Sequence, residues 1–280
     1  MECSLENITV HYEELGEGKP IIILPGWSLN TRFMAYIMEP YFQNRDGWQR
    51  IYIDPPGHGK TPGKEWITDQ DKILEVVLAC IDKLTEGKRF CLIGASLGGY
   101  QVRGVRRFRA DLVDGIAMIV PAIITEDNKR TVPPHRVLVE EPGIQAEIAP
   151  AEMDFYEMAV VHTRKWLDYQ RGFPQVPEEE LGDFEFLSSI RDRPEKYALS
   201  FDVDDVEPFP GPSLIVTGRQ DSSVGYRDAW NIIEKYPRAT YVVLDRASHE
   251  LEEKGYLVSA LVNDWLDRVE EYAALKITSD

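Results

Sequence analysis

The stretch Ile93-Gly94-Ala95-Ser96-Leu97-Gly98-Gly99-Tyr100 closes an apolar run (89–94, RFCLIG) and opens a segment of helical pattern. A plain turn needs one glycine or two. Three glycines and an alanine around a single serine imply a backbone bent too tightly to admit side chains. Gly94-Ala95-Ser96-Leu97-Gly98 fits G-x-S-x-G. In that pattern the positions two before and two after the serine must lack bulk, so that a strained strand-to-helix turn lifts the hydroxyl clear of the sheet edge. The N-terminus of the following helix favours an anion developing nearby. The pattern is short enough to recur by chance, and its place between a strand and a helix is what gives it weight.

Outward from this turn, apolar runs of strand length alternate with helical patterns. Residues 20–24 (PIIIL), 50–53 (RIYI), 89–94, 115–120 (GIAMIV), 213–217 (SLIVT) and 240–244 (TYVVL) are short and almost free of polar alternation. Strands buried on both faces read this way, as in a parallel sheet covered by helices. Between them, Ile73, Val76, Val77, Cys80, Ile81 and Leu84 share one face at helical spacing, after capping residues at Thr68 or Asp69. Leu257, Leu261, Trp265 and Val269 line one side of a final helix, and residues 4–15 read as an antiparallel hairpin. The expected fold class is α/β, with a mostly parallel central sheet and helices on both faces. Residues 122–208 break the rhythm, with helical patterns, prolines, many aromatics and no comparable strand run. They hold 20 Asp and Glu against 9 Lys and Arg, hence −11 of the chain's −17. The expected division is therefore a core of residues 1–121 and 209–280, with 122–208 as a helical insertion lying over the sheet.

A nucleophilic serine needs a base, and the base needs an orienting acid. Of five histidines, His249 lies just past the last strand run, in DRASHELEE, where a loop can carry it over the carboxyl edge of the sheet. His11 falls in the N-terminal strand and is expected at the surface; His135 and His162 lie in the insertion and could line a substrate site. Asp221, in VTGRQDSSVG, directly follows the strand at 213–217, and the order Ser96, Asp221, His249 is that of a nucleophile-elbow enzyme. The rival acids are Glu126 and Asp127, past the strand at 115–120. The competing structural reading has Asp221 capping a helix from Tyr226 and His249 packing in a surface loop.

These residues resemble the α/β-hydrolase superfamily, over 4–121 and 209–275, and the insertion then resembles that family's helical cap. The resemblance places Leu24-Pro25-Gly26-Trp27 in the family's oxyanion loop, where Pro25 stands in the place of a more usual histidine. It implies the backbone N–H groups of Trp27 and Leu97 as oxyanion donors, which side-chain identity does not affect. The Trp27 ring reads equally as a pocket wall or as core. Asp54-Pro55-Pro56-Gly57-His58-Gly59-Lys60-Thr61 ends like a phosphate-binding loop, but Asp54 stands where that loop needs glycine. Turns of this kind in the family are structural, so His58 is expected in a tight turn.

Charge and composition bound the function. A formal charge of −17 argues against nucleic acid and anionic membrane surfaces. No apolar run approaches the roughly 20 residues that cross a bilayer, and the N-terminus has no secretory pattern. Cys3, Cys80 and Cys91 are odd in number and lack metal-ligand spacing, so buried free thiols and a cytoplasmic location are expected. Neither a metal nor a cofactor is expected. The expected partner is a small-molecule substrate, with the oligomeric state open between monomer and homodimer. The expected activity is a serine hydrolase acting by acyl transfer on a small carboxylic ester. An aminopeptidase, a carbon–carbon bond hydrolase of the same fold and a catalytically inactive binding protein are the alternatives.

Overall fold

The computed structural model describes residues 1–277. Along the chain run β1 (Glu2–Ser4), β2 (Thr9–Leu15), β3 (Lys19–Leu24), α1 (Thr31–Met38), β4 (Trp48–Ile53), α2 (Gln70–Thr85), β5 (Phe90–Ala95), α3 (Leu97–Arg109) and β6 (Val113–Ile119). There follow β7 (Val139–Glu140), α4 (Met153–Met158), β8 (Val161–His162), α5 (Arg164–Arg171), α6 (Phe184–Arg191) and α7 (Pro194–Tyr197). The chain closes with β9 (Ser213–Gly218), α8 (Arg227–Asn231), β10 (Ala239–Leu244) and α9 (Gly255–Ile277). The eight-stranded sheet has the order β1-β2-β4-β3-β5-β6-β9-β10. The pairs β1–β2 and β2–β4 are antiparallel and the rest are parallel, which is the α/β architecture expected.

The lack of polar alternation in these strands has a direct cause. Successive side chains point to opposite faces of a strand, and here both faces are covered. In β3, Ile22 and Leu24 enter one core with α2 and α3, while Ile21 and Ile23 enter the other with α1 and α9. In β5, Phe90 and Leu92 go to the first core, and Cys91 and Ile93 to the second. Each fully buried side chain of this size contributes about 1.5–3 kcal/mol, so the two cores fix the register of every central strand.

Asp69 caps α2, its side chain accepting from Lys72 N at 3.0 Å. The α9 stripe is centred one residue further along than the sequence reading placed it. Val258, Val262, Trp265, Leu266 and Val269 are buried, while Leu257 and Leu261 are only partly covered. His11 is a correction: it is not a surface residue, its side chain being 13% exposed and its Nδ1 2.8 Å from Asp54 Oδ2. The fully buried Asp54 needs several donors, and it also accepts from Thr31 N at 2.7 Å and Lys60 N at 3.1 Å. His58 is buried inside the turn that Asp54 organises, and burial lowers its pKa, so it is held neutral. Cys3, Cys80 and Cys91 are buried free thiols.

Between β6 and β9 the described chain adds no strand to the main sheet. It carries α4–α7 and the two-stranded parallel pair β7–β8. Three arginines of α3 hold the end of this segment. Arg103 of that helix is buried and forms an ion pair with Asp204. Arg106 donates to the carbonyl of Glu207, and Arg107 to the carbonyls of Asp202 and Asp205.

Candidate active site

Ser96 sits between β5 and α3 with φ 50° and ψ −115°, a conformation strained for any L residue. The small neighbours are required by contact rather than by composition. A Cβ on Gly94 would lie 2.2 Å from the Gly98 carbonyl oxygen, and one on Gly98 would lie 2.2 Å from the Leu24 carbonyl oxygen. The turn is therefore wedged between its own helix and the end of β3, and Ser96 is turned out of the sheet. Its amide donates to Ile119 O at 3.0 Å and its carbonyl accepts from Ala122 N at 2.9 Å, which fastens the turn to the strand beside it.

The structure brings Ser96, His249 and Asp221 into one hydrogen-bonded line. His249 Nε2 lies 3.0 Å from Ser96 Oγ, and His249 Nδ1 lies 2.9 Å from Asp221 Oδ2. An ionised carboxylate only accepts, so Asp221 fixes the imidazole proton on Nδ1 and leaves Nε2 free to accept from the serine hydroxyl. Asp221 is fully buried, and its other oxygen, Oδ1, accepts from Ser223 N at 2.8 Å and Val224 N at 3.0 Å. It therefore holds its own loop as well as the imidazole, and it does not cap the helix at Tyr226. Burial alone would raise its pKa, but His249 and the two amides outweigh burial and hold the carboxyl below its ordinary value. For His249, burial disfavours the imidazolium and the Asp221 carboxylate more than offsets that, leaving its pKa above the ordinary 6.5.

The rival acids point elsewhere. Glu126 pairs with Lys129, and Asp127 with Arg130 and Arg191. His162 is a correction: it lines no open site. It is 2% exposed, stacks on Tyr156 with ring centroids 3.8 Å apart, and its Nε2 bonds to Tyr156 O at 2.8 Å. His135 Nε2 bonds to the Ala159 carbonyl at 3.1 Å.

Leu97 opens α3, in the first turn, where amides have no intrahelical acceptor. The loop carrying Trp27 lies directly against the elbow, since a Cβ on Gly26 would sit 3.3 Å from Ser96 Cβ. The Trp27 ring is half-buried, packs against the core and is overlaid by α6, with the Arg191 guanidinium 4.4 Å from its ring centroid and Phe184 edge-on at 6.2 Å. Of the two readings the sequence left open, the packing favours core. Among the described residues no group of three or more His, Cys, Asp or Glu is placed to hold a metal ion, and no helix is long and apolar enough to cross a membrane.

Sequence reasoning missed the carboxylates beside the histidine. Glu250 Oε2 accepts from Trp166 Nε1 at 3.0 Å and Gln170 Nε2 at 2.7 Å. The buried Glu252 accepts from Val160 N at 2.8 Å and Ser248 N at 2.6 Å. The signal was the run HELEE itself, three glutamates within four residues of His249, but a charge run of this kind usually faces solvent.

Comparison with known proteins places this geometry in a family. The chain is 28% identical, with a TM-score of 0.82, to the crystal structure of an alpha/beta superfamily hydrolase from Oenococcus oeni, covering 96% of this chain and 99% of that one. It is similar in fold to Est1E from Butyrivibrio proteoclasticus with ferulic acid bound, at 18% identity and a TM-score of 0.64, covering 96% and 99% of the two chains. It is 24% identical over 257 residues to a pimeloyl-[acyl-carrier protein] methyl ester esterase of Legionella pneumophila, covering 86% of this chain and 92% of that protein. A family model described as the alpha/beta hydrolase family matches residues 21–258, from the strand before the Trp27 loop to the helix after His249, and the chain belongs to that family.

Proposed function

We propose that the protein is a serine hydrolase that cleaves a small carboxylic ester by acyl transfer through Ser96, His249 and Asp221. The observation that carries this reading is the unbroken hydrogen-bonded line Asp221–His249–Ser96, ending on a strained serine at a helix N-terminus. The likeness to proteins named as esterases supports the choice of an ester.

In this reading His249 Nε2 takes the Ser96 proton as Oγ attacks the ester carbonyl carbon. The carbonyl oxygen becomes an oxyanion and accepts from the N–H groups of Trp27 and Leu97. The imidazolium, stabilised by Asp221, gives the proton to the departing alkoxide, leaving an acyl-serine and an alcohol. Water then attacks the acyl carbon while His249 accepts its proton, and collapse of the second tetrahedral intermediate returns the proton to Ser96 and releases the carboxylic acid. Residues 122–208 act as a cap over this edge of the sheet, with α6 covering the Trp27 loop.

The test is fluorophosphonate labelling mapped by mass spectrometry, alongside hydrolysis of 4-nitrophenyl acetate. Wild type should be modified at Ser96 and turn over the ester. Ser96→Ala and His249→Ala should lose several orders of magnitude in kcat while remaining folded. Near-normal turnover by either folded variant refutes the assignment.

A further inference from the structure

The loop that carries His249 is poorly disposed to hold its own shape. Arg246, Leu251 and Glu253 all have positive φ, at 53°, 53° and 57°. Non-glycine residues persist in that region only when surrounding contacts over-determine them. Gln220 and Asp221 hold its near end, through Ala247 and His249, and the glutamates that follow His249 are held from the other side. Glu250 bonds to Trp166 and Gln170, Glu252 to Val160 N, and Glu253 Oε1 accepts from Thr163 Oγ1 at 2.5 Å. All four of those partners lie within residues 160–170, on α5 and at the ends of β8.

We propose that Glu250 is a positioning residue, a cross-link between the His249 loop and α5 that keeps the imidazole aimed at Ser96. This rests on the serine-hydrolase reading for its kinetic consequence but not for its geometry. Glu250 adjoins His249 in the chain, so displacement of its side chain moves the base directly. Its two acceptor bonds both fall on Oε2, whereas Oε1 is buried and has no partner. Burial pushes the carboxyl up to about 8, and neighbouring Glu252 also opposes ionisation, so the group is neutral at pH 7. The proton then sits on Oε1, because Oε2 is occupied by two donors. A carboxyl that accepts twice through one oxygen is a structural tie between the loop and α5. Trp166, the donor at the far end of the tie, is 1% exposed and packs with Tyr156 and Leu167 in the insertion's own small core. The packing of a segment that contributes nothing to the main sheet therefore joins Asp221 in setting the direction of His249.

The experiment compares wild type with Glu250→Gln, Glu250→Leu and Gln170→Met. The readouts are kcat and KM for 4-nitrophenyl acetate, the fluorophosphonate labelling rate, melting temperature, and the downfield proton resonance of His249 Nδ1–H. The glutamine keeps the doubly accepting oxygen and places its NH₂ where the acid O–H stands, so it should keep kcat within roughly threefold. The leucine removes the tie and should lower kcat roughly 10- to 100-fold with little change in KM, as expected for a displaced base. Gln170→Met, which severs one of the two bonds from outside the loop, should lower kcat by a smaller factor in the same sense, and it decides the matter should the leucine variant not fold. An unchanged kcat in a folded leucine variant, or a glutamine variant as impaired as the leucine, overturns the proposal. Wild type that is neither labelled nor active defeats the serine-hydrolase reading instead. The positioning role is then judged by the His249 resonance, which should survive in the glutamine variant and be lost or broadened in the leucine variant; an identical resonance in all three overturns it.

Discussion

Replacement of Asp221 by asparagine separates the two duties of that residue. Oδ1 accepts from Ser223 N and Val224 N, and Oδ2 accepts from His249 Nδ1. Asparagine has one accepting oxygen and one donating NH₂. The two amides claim the oxygen, because leaving them unpaired in a fully buried site would cost about 1–3 kcal/mol each. The NH₂ is then left facing His249 Nδ1, which must accept, so the imidazole proton moves to Nε2. A protonated Nε2 cannot accept from Ser96, and the base is lost although no atom has moved far. The expected fall in kcat is about 10⁴-fold, or about 5 kcal/mol in activation free energy, with an unchanged fold by circular dichroism. Asp221→Ala should lose activity too, but also stability, because it strands both amides. Steady-state hydrolysis of 4-nitrophenyl acetate and urea denaturation of the two variants supply the comparison. Asparagine variant turnover within tenfold of wild type would show that Asp221 does not set the tautomer, and the reasoning from its split bonding would be wrong.

Three further outcomes are expected. The acid limb of kcat/KM should titrate above pH 6.5, since His249 must be neutral to act as base and its pKa is raised; a midpoint below 6.5 contradicts the balance of burial against Asp221 drawn above. The same shift makes His249 stabilising below pH 6.5, a contribution lost as pH rises through the raised value. The depressed Asp221 stabilises above about pH 3.8, and its contribution is lost as pH falls through its folded value. Gly98→Ala should destabilise the fold by about 3 kcal/mol, because its Cβ meets the Leu24 carbonyl and neither backbone can retreat; an unchanged melting temperature would show that the elbow has room. Asp204→Ala should cost about 3–5 kcal/mol in urea denaturation, because it leaves Arg103 charged and buried.

The centre of the sheet was legible in the sequence because β3, β5, β6 and β9 are covered on both faces, and double burial leaves little polar alternation in them. The elbow was legible for a related reason: a turn wedged against Leu24 O admits only small residues, so packing is recorded as composition. The order of Ser96, Asp221 and His249 followed from their places after β5, β9 and β10, since parallel strands deliver their ends to one edge. What local pattern could not carry was pairing across long separations. His11 finds Asp54 43 residues away, and His162 turns inward onto Tyr156, six residues before it. The acidic run after His249 gave the least warning. Three glutamates in four residues have the composition of a solvated surface, and only the docking of Val160, Thr163, Trp166 and Gln170 turns them into hydrogen-bond acceptors beside His249. Sequence by itself determined the fold and the residues that meet at the sheet edge, because burial and backbone sterics act through side-chain type. The tertiary structure alone decided which charges are buried and what holds the histidine, because a carboxyl's state depends on donors that no neighbouring residue supplies.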